Sequence, residues 1–71
     1  MEKIRLNSEY IKLGQALKAA GLAGNGVDAK FAIQDGLVKV NGEVELRRGR
    51  KLYGGEVVDY QGEKVMIEGK V

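Results

Sequence analysis

The chain has no histidine, no cysteine and no tryptophan, and Ser8 is its one serine beside no threonine at all. Each absence removes a class of chemistry. Without cysteine there is no disulfide and no thiolate to hold a metal. Without histidine, acid–base work near neutrality would rest on a carboxylate of raised pKa. The acidic residues fall at expected surface positions or in turns, each near a basic residue. Ser8 stands where a helix cap belongs, so no nucleophile–base pair can be assembled. The acids lack metal-ligand spacing, and the glycines form neither a dinucleotide-binding nor a P-loop pattern. No enzymatic activity, cofactor or metal is expected. No stretch reaches the roughly 20 apolar residues of a membrane span. Met1-Glu2-Lys3-Ile4-Arg5 lacks the apolar run of a secretion signal, so the default expectation is a cytoplasmic protein that meets no membrane.

What remains is a small aliphatic, charged chain. Its 71 residues suffice for one domain, residues 1–71, which at this size buries only about 60% of its unfolded surface. Leu, Ile, Val and Ala, with Phe31 and three tyrosines, must supply the core. The net charge is +2, but it is unevenly spread: Arg47-Arg48-Gly49-Arg50-Lys51 carries four positive charges, while the rest of the chain carries 8 basic and 10 acidic residues. A concentrated basic cluster on a near-neutral body is the footprint of a polyanion partner.

The hydropathy pattern changes period along the chain. Lys3-Ile4-Arg5-Leu6 alternates as a half-buried strand does. Ser8 can cap a helix over residues 9–20, whose Tyr10, Leu13, Leu17 and Ala20 share one face. Gly21 ends it, with Leu22 folding back. Asn25 caps a second helix with Asp28 in its first turn and Ala29, Ala32 and Ile33 on a narrow apolar face, stopped by Gly36. Leu37-Val38-Lys39-Val40 then alternates into Asn41-Gly42, a strong two-residue hairpin signal, and returns as Glu43-Val44-Glu45-Leu46. Glu56-Val57-Val58-Asp59-Tyr60 and Lys64-Val65-Met66-Ile67-Glu68 read as two more strands around Gln61-Gly62-Glu63. One strand, two helices and four strands indicate an α+β fold: a helix–loop–helix unit packed on a small, mostly antiparallel sheet.

Arginine forks match phosphate oxygens bidentately and lysine adds a mobile charge. Arg47, Arg48, Arg50 and Lys51 fall between two strands, and Gly49 lets the backbone bend there. A solvated loop or a charged sheet edge that blocks aggregation is the competing reading. Lys12, Lys18, Lys30 and Lys39 each read alone as ordinary surface lysines. Phe31, Tyr53 and Tyr60 read as packing residues, with Tyr53 also open to base stacking. So few aromatics point away from single-strand readers and toward folded RNA recognised by shape and backbone.

Ala29-Lys30, Ile33, Gly36-Leu37-Val38-Lys39-Val40-Asn41-Gly42 and Gly55-Glu56-Val57-Val58 together resemble the S-four domain, the RNA-binding domain named for ribosomal small-subunit protein four. The run from Glu43 to Leu52 resembles most its free-standing bacterial YbcJ/YaaA-type members. The resemblance spans residues 9–68. It implies an alpha-L RNA-binding motif in which RNA, ribosomal or transfer, lies across the helices and the adjoining hairpin. It carries Lys12, Gln15, Lys18, Asn25, Lys30, Asn41, Arg47, Arg48, Arg50 and Lys51 onto the RNA face, and Lys39 joins them as an outward-facing strand cation. Where many relatives have Ser-Arg at the start of the second helix, this chain has Asn25-Gly26, and a direct arginine contact is lost. The expectation is a monomeric, non-catalytic binder of structured RNA, possible ribosome association included. The rival is an adaptor whose basic loop meets an acidic protein.

Overall fold

A computed structural model describes residues 1–70. In chain order the elements are β1 (Glu2–Arg5), β2 (Ile11–Lys12), α1 (Leu13–Ala19), α2 (Gly26–Gln34), β3 (Val38–Val40), β4 (Glu43–Val44), β5 (Lys51–Leu52), β6 (Val57–Tyr60) and β7 (Glu63–Glu68). Five strands form one sheet in the order β1-β7-β6-β3-β4; β2 and β5 form a separate two-stranded ribbon. Only β1 against β7 is parallel, and every other pairing is antiparallel. The α+β architecture is the expected one, with the ribbon as an addition.

Strand alternation sorts the sheet into two faces. Val38, Val40, Val58, Val65 and Ile67 are buried and meet Leu13, Ala16, Leu17, Ala29, Ala32 and Ile33 from the helices in one core. Lys39, Asp59 and Lys64 take the opposite, solvent side, paired across the strands. Both helices end as their glycines foretell. The Gly36 N–H donates to the Ile33 carbonyl and the Leu37 N–H to Ala32, and Gly21 and Leu22 repeat the arrangement on Lys18 and Leu17: two Schellman ends. Asn41 and Gly42 take φ of 53° and 85°, as a type I′ hairpin turn requires.

Three expectations fail for identifiable reasons. First, the helix over residues 9–20 starts at Leu13 instead. Ile11 and Lys12 are drawn into pairing with Leu52 and Lys51, and the Ser8 hydroxyl donates to the Tyr10 carbonyl rather than capping. Tertiary pairing overrides the local signal. Second, Phe31 and Tyr53 lie exposed. Phe31 stands well round the helix from the buried Ala29, Ala32 and Ile33, so the fully buried core is aliphatic, with Tyr60 half-buried against it. Third, the acids are not all at the surface. Glu45 is buried while Val44 and Leu46 on either side are exposed, the reverse of the usual polarity of a strand.

One turn tolerates only glycine. Gly54 has φ of +137°, and a Cβ there would lie 2.7 Å from the backbone of Gly69. Its N–H and that of Tyr53 both donate to the Glu56 carboxylate. Gly62 also has positive φ but faces open space. Gly54→Ala is therefore expected to cost clearly more stability in urea denaturation than Gly62→Ala, which pays only the left-handed penalty of about 1–2 kcal/mol. Equal losses would contradict the clash.

Candidate nucleic-acid interface

The start of α1 leaves backbone N–H groups without helical acceptors. The basic loop supplies them. The Leu13 N–H donates to the Arg50 carbonyl at 2.8 Å and the Gly14 N–H to the Arg48 carbonyl at 3.0 Å. The β2–β5 ribbon clamps the same two segments side by side. A Cβ on Gly14 would sit 2.7 Å from Arg48 Cγ, so the bare glycine lets the Arg48 stem lie across the helix.

This docking opens a cleft of about 290 Å³ lined by Lys12, Gly14, Gln15 and Lys18 from the α1 side, Gly26 and Ala29 from α2, and Arg48 and Gly49 from the loop. Three cations line it and no carboxylate does. Lys30 is exposed one helical turn beyond Gly26, on the same side of α2. Lys12 and Lys51 are direct partners on the ribbon, and like charges facing each other across strands repel. Lys51 finds partial relief over the Tyr10 ring, with Nζ 4.8 Å from its centre. Tyr10 in turn packs obliquely on Tyr53, ring centres 5.9 Å apart.

The cationic run does not present four free charges. Arg47 and Arg50 converge on the buried carboxylate of Glu45. Arg47 donates from Nη2 at 3.0 Å and Nε at 3.1 Å, its backbone N–H adds a third bond at 3.1 Å, and Arg50 Nη1 donates at 3.1 Å. The Arg47 guanidinium, with help from its backbone N–H and from Arg50, outweighs the cost of burial and holds the Glu45 carboxyl at about 2, against an ordinary 4.5. Arg48 turns into the cleft, and Lys51 stands beside Tyr10.

Other candidate residues separate from this group or have a structural task. Lys39 projects from the outer face of the sheet, between its strand partners Val44 and Asp59, because alternation sends it away from the core and the helices. Asn41 is occupied in the fold: its Oδ1 accepts from the Val57 N–H at 2.9 Å. Asn25 Oδ1 accepts from the Asp28 N–H at 2.9 Å, and Gln15 Oε1 from the Lys12 N–H at 3.3 Å; these two help build the helix ends beside the cleft. Sequence reasoning missed Glu45 and Gly14. The available hint for Glu45 was an acid two residues before a dense cationic run. Among the described residues, no group of three or more Asp or Glu could hold a metal, and no helix is long and apolar enough to cross a membrane.

The lowered Glu45 pKa sets a direction for stability. Its contribution is complete above about pH 4.5 and is lost as pH falls toward 2. Glu45→Gln should thus flatten the acid limb of a stability–pH profile measured by urea denaturation. Superimposable acid limbs for the two proteins would count against the clamp.

Comparison with known proteins bears on the fold and the family. The family model described as the S4 domain matches residues 4–68. RlbA of Bacillus subtilis (strain 168), provisionally named a ribosome maturation protein, is 46% identical over 59 residues, covering 83% of each chain. YbcJ of Escherichia coli (strain K12), provisionally named an RNA-binding protein, is 38% identical over 58 residues, covering 82% of this chain and 83% of that one. The solution structure of E. coli YbcJ, described as revealing a motif involved in RNA binding, superposes with a TM-score of 0.75 at 34% identity over 97% of this chain and 89% of that one. With a family match across nearly its whole length and the same arrangement of helices and sheet, this chain belongs to the S4 domain family.

Proposed function

We propose that the protein is a non-catalytic binder of structured RNA, ribosomal or transfer, that works as a monomer in the cytoplasm in association with the ribosome or its precursors. One observation carries the reading: Lys12, Lys18 and Arg48 surround a cleft without a lining carboxylate, beside an unfavourable Lys12–Lys51 pairing that an intervening phosphate would turn favourable. The names of RlbA and YbcJ support the same class of partner. The mechanism is docking of a folded backbone. The cleft takes a phosphate between the helices, Lys30 and Lys51 extend the contact along the strand, and the Glu45-held guanidinium of Arg47 offers its outward N–H groups in a fixed direction. Such contacts read shape and charge rather than base identity.

Electrostatic docking of four to five phosphates predicts that log K for a transfer RNA or a ribosomal RNA hairpin falls against log salt with a slope of about −3 to −4. Lys12→Ala, Lys18→Ala and Arg48→Ala are each expected to weaken binding by about 1 kcal/mol and to make the salt slope shallower. Lys39→Ala, on the outer face, serves as the control. A flat salt response, or equal losses from Lys39→Ala, would reject the cleft. Recovery of partners from a pull-down that ribonuclease leaves unchanged would favour an acidic protein over RNA.

Glu45→Gln sharpens the test. It removes a negative charge, so a face that acted through charge alone would bind RNA more tightly. A face that needs its arginines held in place binds about fivefold more weakly, because ordering them then falls on the complex. Tighter binding of the folded variant to RNA would refute the positioning role.

A further inference from the structure

Helix α2 separates two unlike surfaces. Gly26 and Ala29 face the basic cleft. Asp28, Phe31, Ala32 and Asp35 line a second groove of about 280 Å³, completed by Leu22, Ala23 and Gly24 from the preceding loop, Leu37, and Tyr60 of β6. At 3.6 residues per turn the two sets lie on the order of 140° apart around the helix. RNA seated in the cleft leaves the second groove open.

The groove has two properties that the RNA reading does not use. It exposes large apolar side chains on and just beyond the helix: Phe31 is 56% exposed and Leu37 47%. It is also acidic with no cationic partner. Among the described residues no ion pair reaches Asp28 or Asp35, and no basic side chain lines the groove. Asp35 stands at the C-cap of α2, where no basic residue occupies the last turn. That end of a helix carries the negative pole of its dipole, where cations stabilise and anions do not. Exposed aromatic surface beside two unpaired carboxylates and a helix C-terminus is complementary to a cation on an apolar stem.

We propose that this groove docks a basic protein segment, an extended peptide in which lysines or arginines flank one apolar side chain. The apolar side chain packs on Phe31, Leu37 and Tyr60, and the flanking cations reach Asp28 and Asp35. The site is independent of the RNA cleft, so the chain can hold a basic segment and a polyanion at the same time on opposite sides of one helix.

The test uses the full chain and a labelled synthetic peptide, Gly-Lys-Lys-Leu-Lys-Lys-Gly, followed by fluorescence anisotropy. Saturable binding is expected, weakened about fivefold or more by Phe31→Ser and by Asp28→Asn with Asp35→Asn, and by replacing the peptide leucine with serine. Phe31 is exposed, so its variant should keep the thermal midpoint and the RNA affinity of the wild type. Lys18→Ala and Arg48→Ala should leave peptide binding unchanged, and saturating transfer RNA should not displace the peptide. The proposal is overturned if the serine peptide binds as well as the leucine peptide, if the groove variants bind normally, or if RNA competes. It is equally overturned if sedimentation shows concentration-dependent self-association that Phe31→Ser abolishes, since the occupant would then be a second copy of this chain.

Discussion

A helix must find acceptors outside its own ladder for its first N–H groups. In this protein they are the carbonyls of Arg50 and Arg48. The main chain of the most cationic segment therefore terminates α1, and the helix cannot form in its native place unless that segment is docked against it. Lys12 and Lys18 on the helix side and Arg48 on the loop side then line one cleft. The site and the fold share the same hydrogen bonds. Gly14 belongs to that constraint, since any side chain at this position meets Arg48.

Glu45 imposes the second constraint. A carboxylate inside a cationic loop lowers the charge available to a polyanion, yet it fixes the direction of two guanidiniums that would otherwise sample many rotamers. Ordering long side chains costs roughly 0.5–1.5 kcal/mol each when a partner has to do it. The loop exchanges some raw attraction for a defined shape. That exchange suits recognition of a folded backbone, where the spacing of phosphates is fixed.

The features legible in the sequence were those governed by neighbours along the chain. Gly21 and Gly36 ended their helices, Asn25 capped α2, Asn41-Gly42 turned the hairpin, and Val38 and Val40 pointed inward. Each outcome depends on residues at most a few positions apart. The misreadings turn on contacts that hydropathy along the chain does not register. The helix start was lost to pairing with Leu52 and Lys51, some 40 residues onward. The inversion around Glu45 follows from Arg47 and Arg50, which needed an acceptor on the inner side of the loop. Phe31 was counted as core because aromatics usually are, but the small Ala29 and Ala32 bring α2 close to its neighbours and leave the aromatic outside. Of the candidate site, Lys12, Gln15, Lys18 and Arg48 meet around the cleft. Lys39 does not, because strand alternation and the position of the helices together fix the face it occupies.

The parallel pairing of β1 with β7 has a bearing on biogenesis. Residues 2–5 lie beside residues 65–68, and β7 is also the neighbour of β6. During translation the first strand must wait, unpaired, until residues 65–68 have left the ribosomal tunnel. Helix α2 can form earlier, since its closing bonds are local, but the sheet that buries its apolar side cannot. Long-range pairing of this kind slows folding and defers cooperative stability until β7 is available. The nascent chain should therefore bury its helices on a complete sheet only after β7 has emerged.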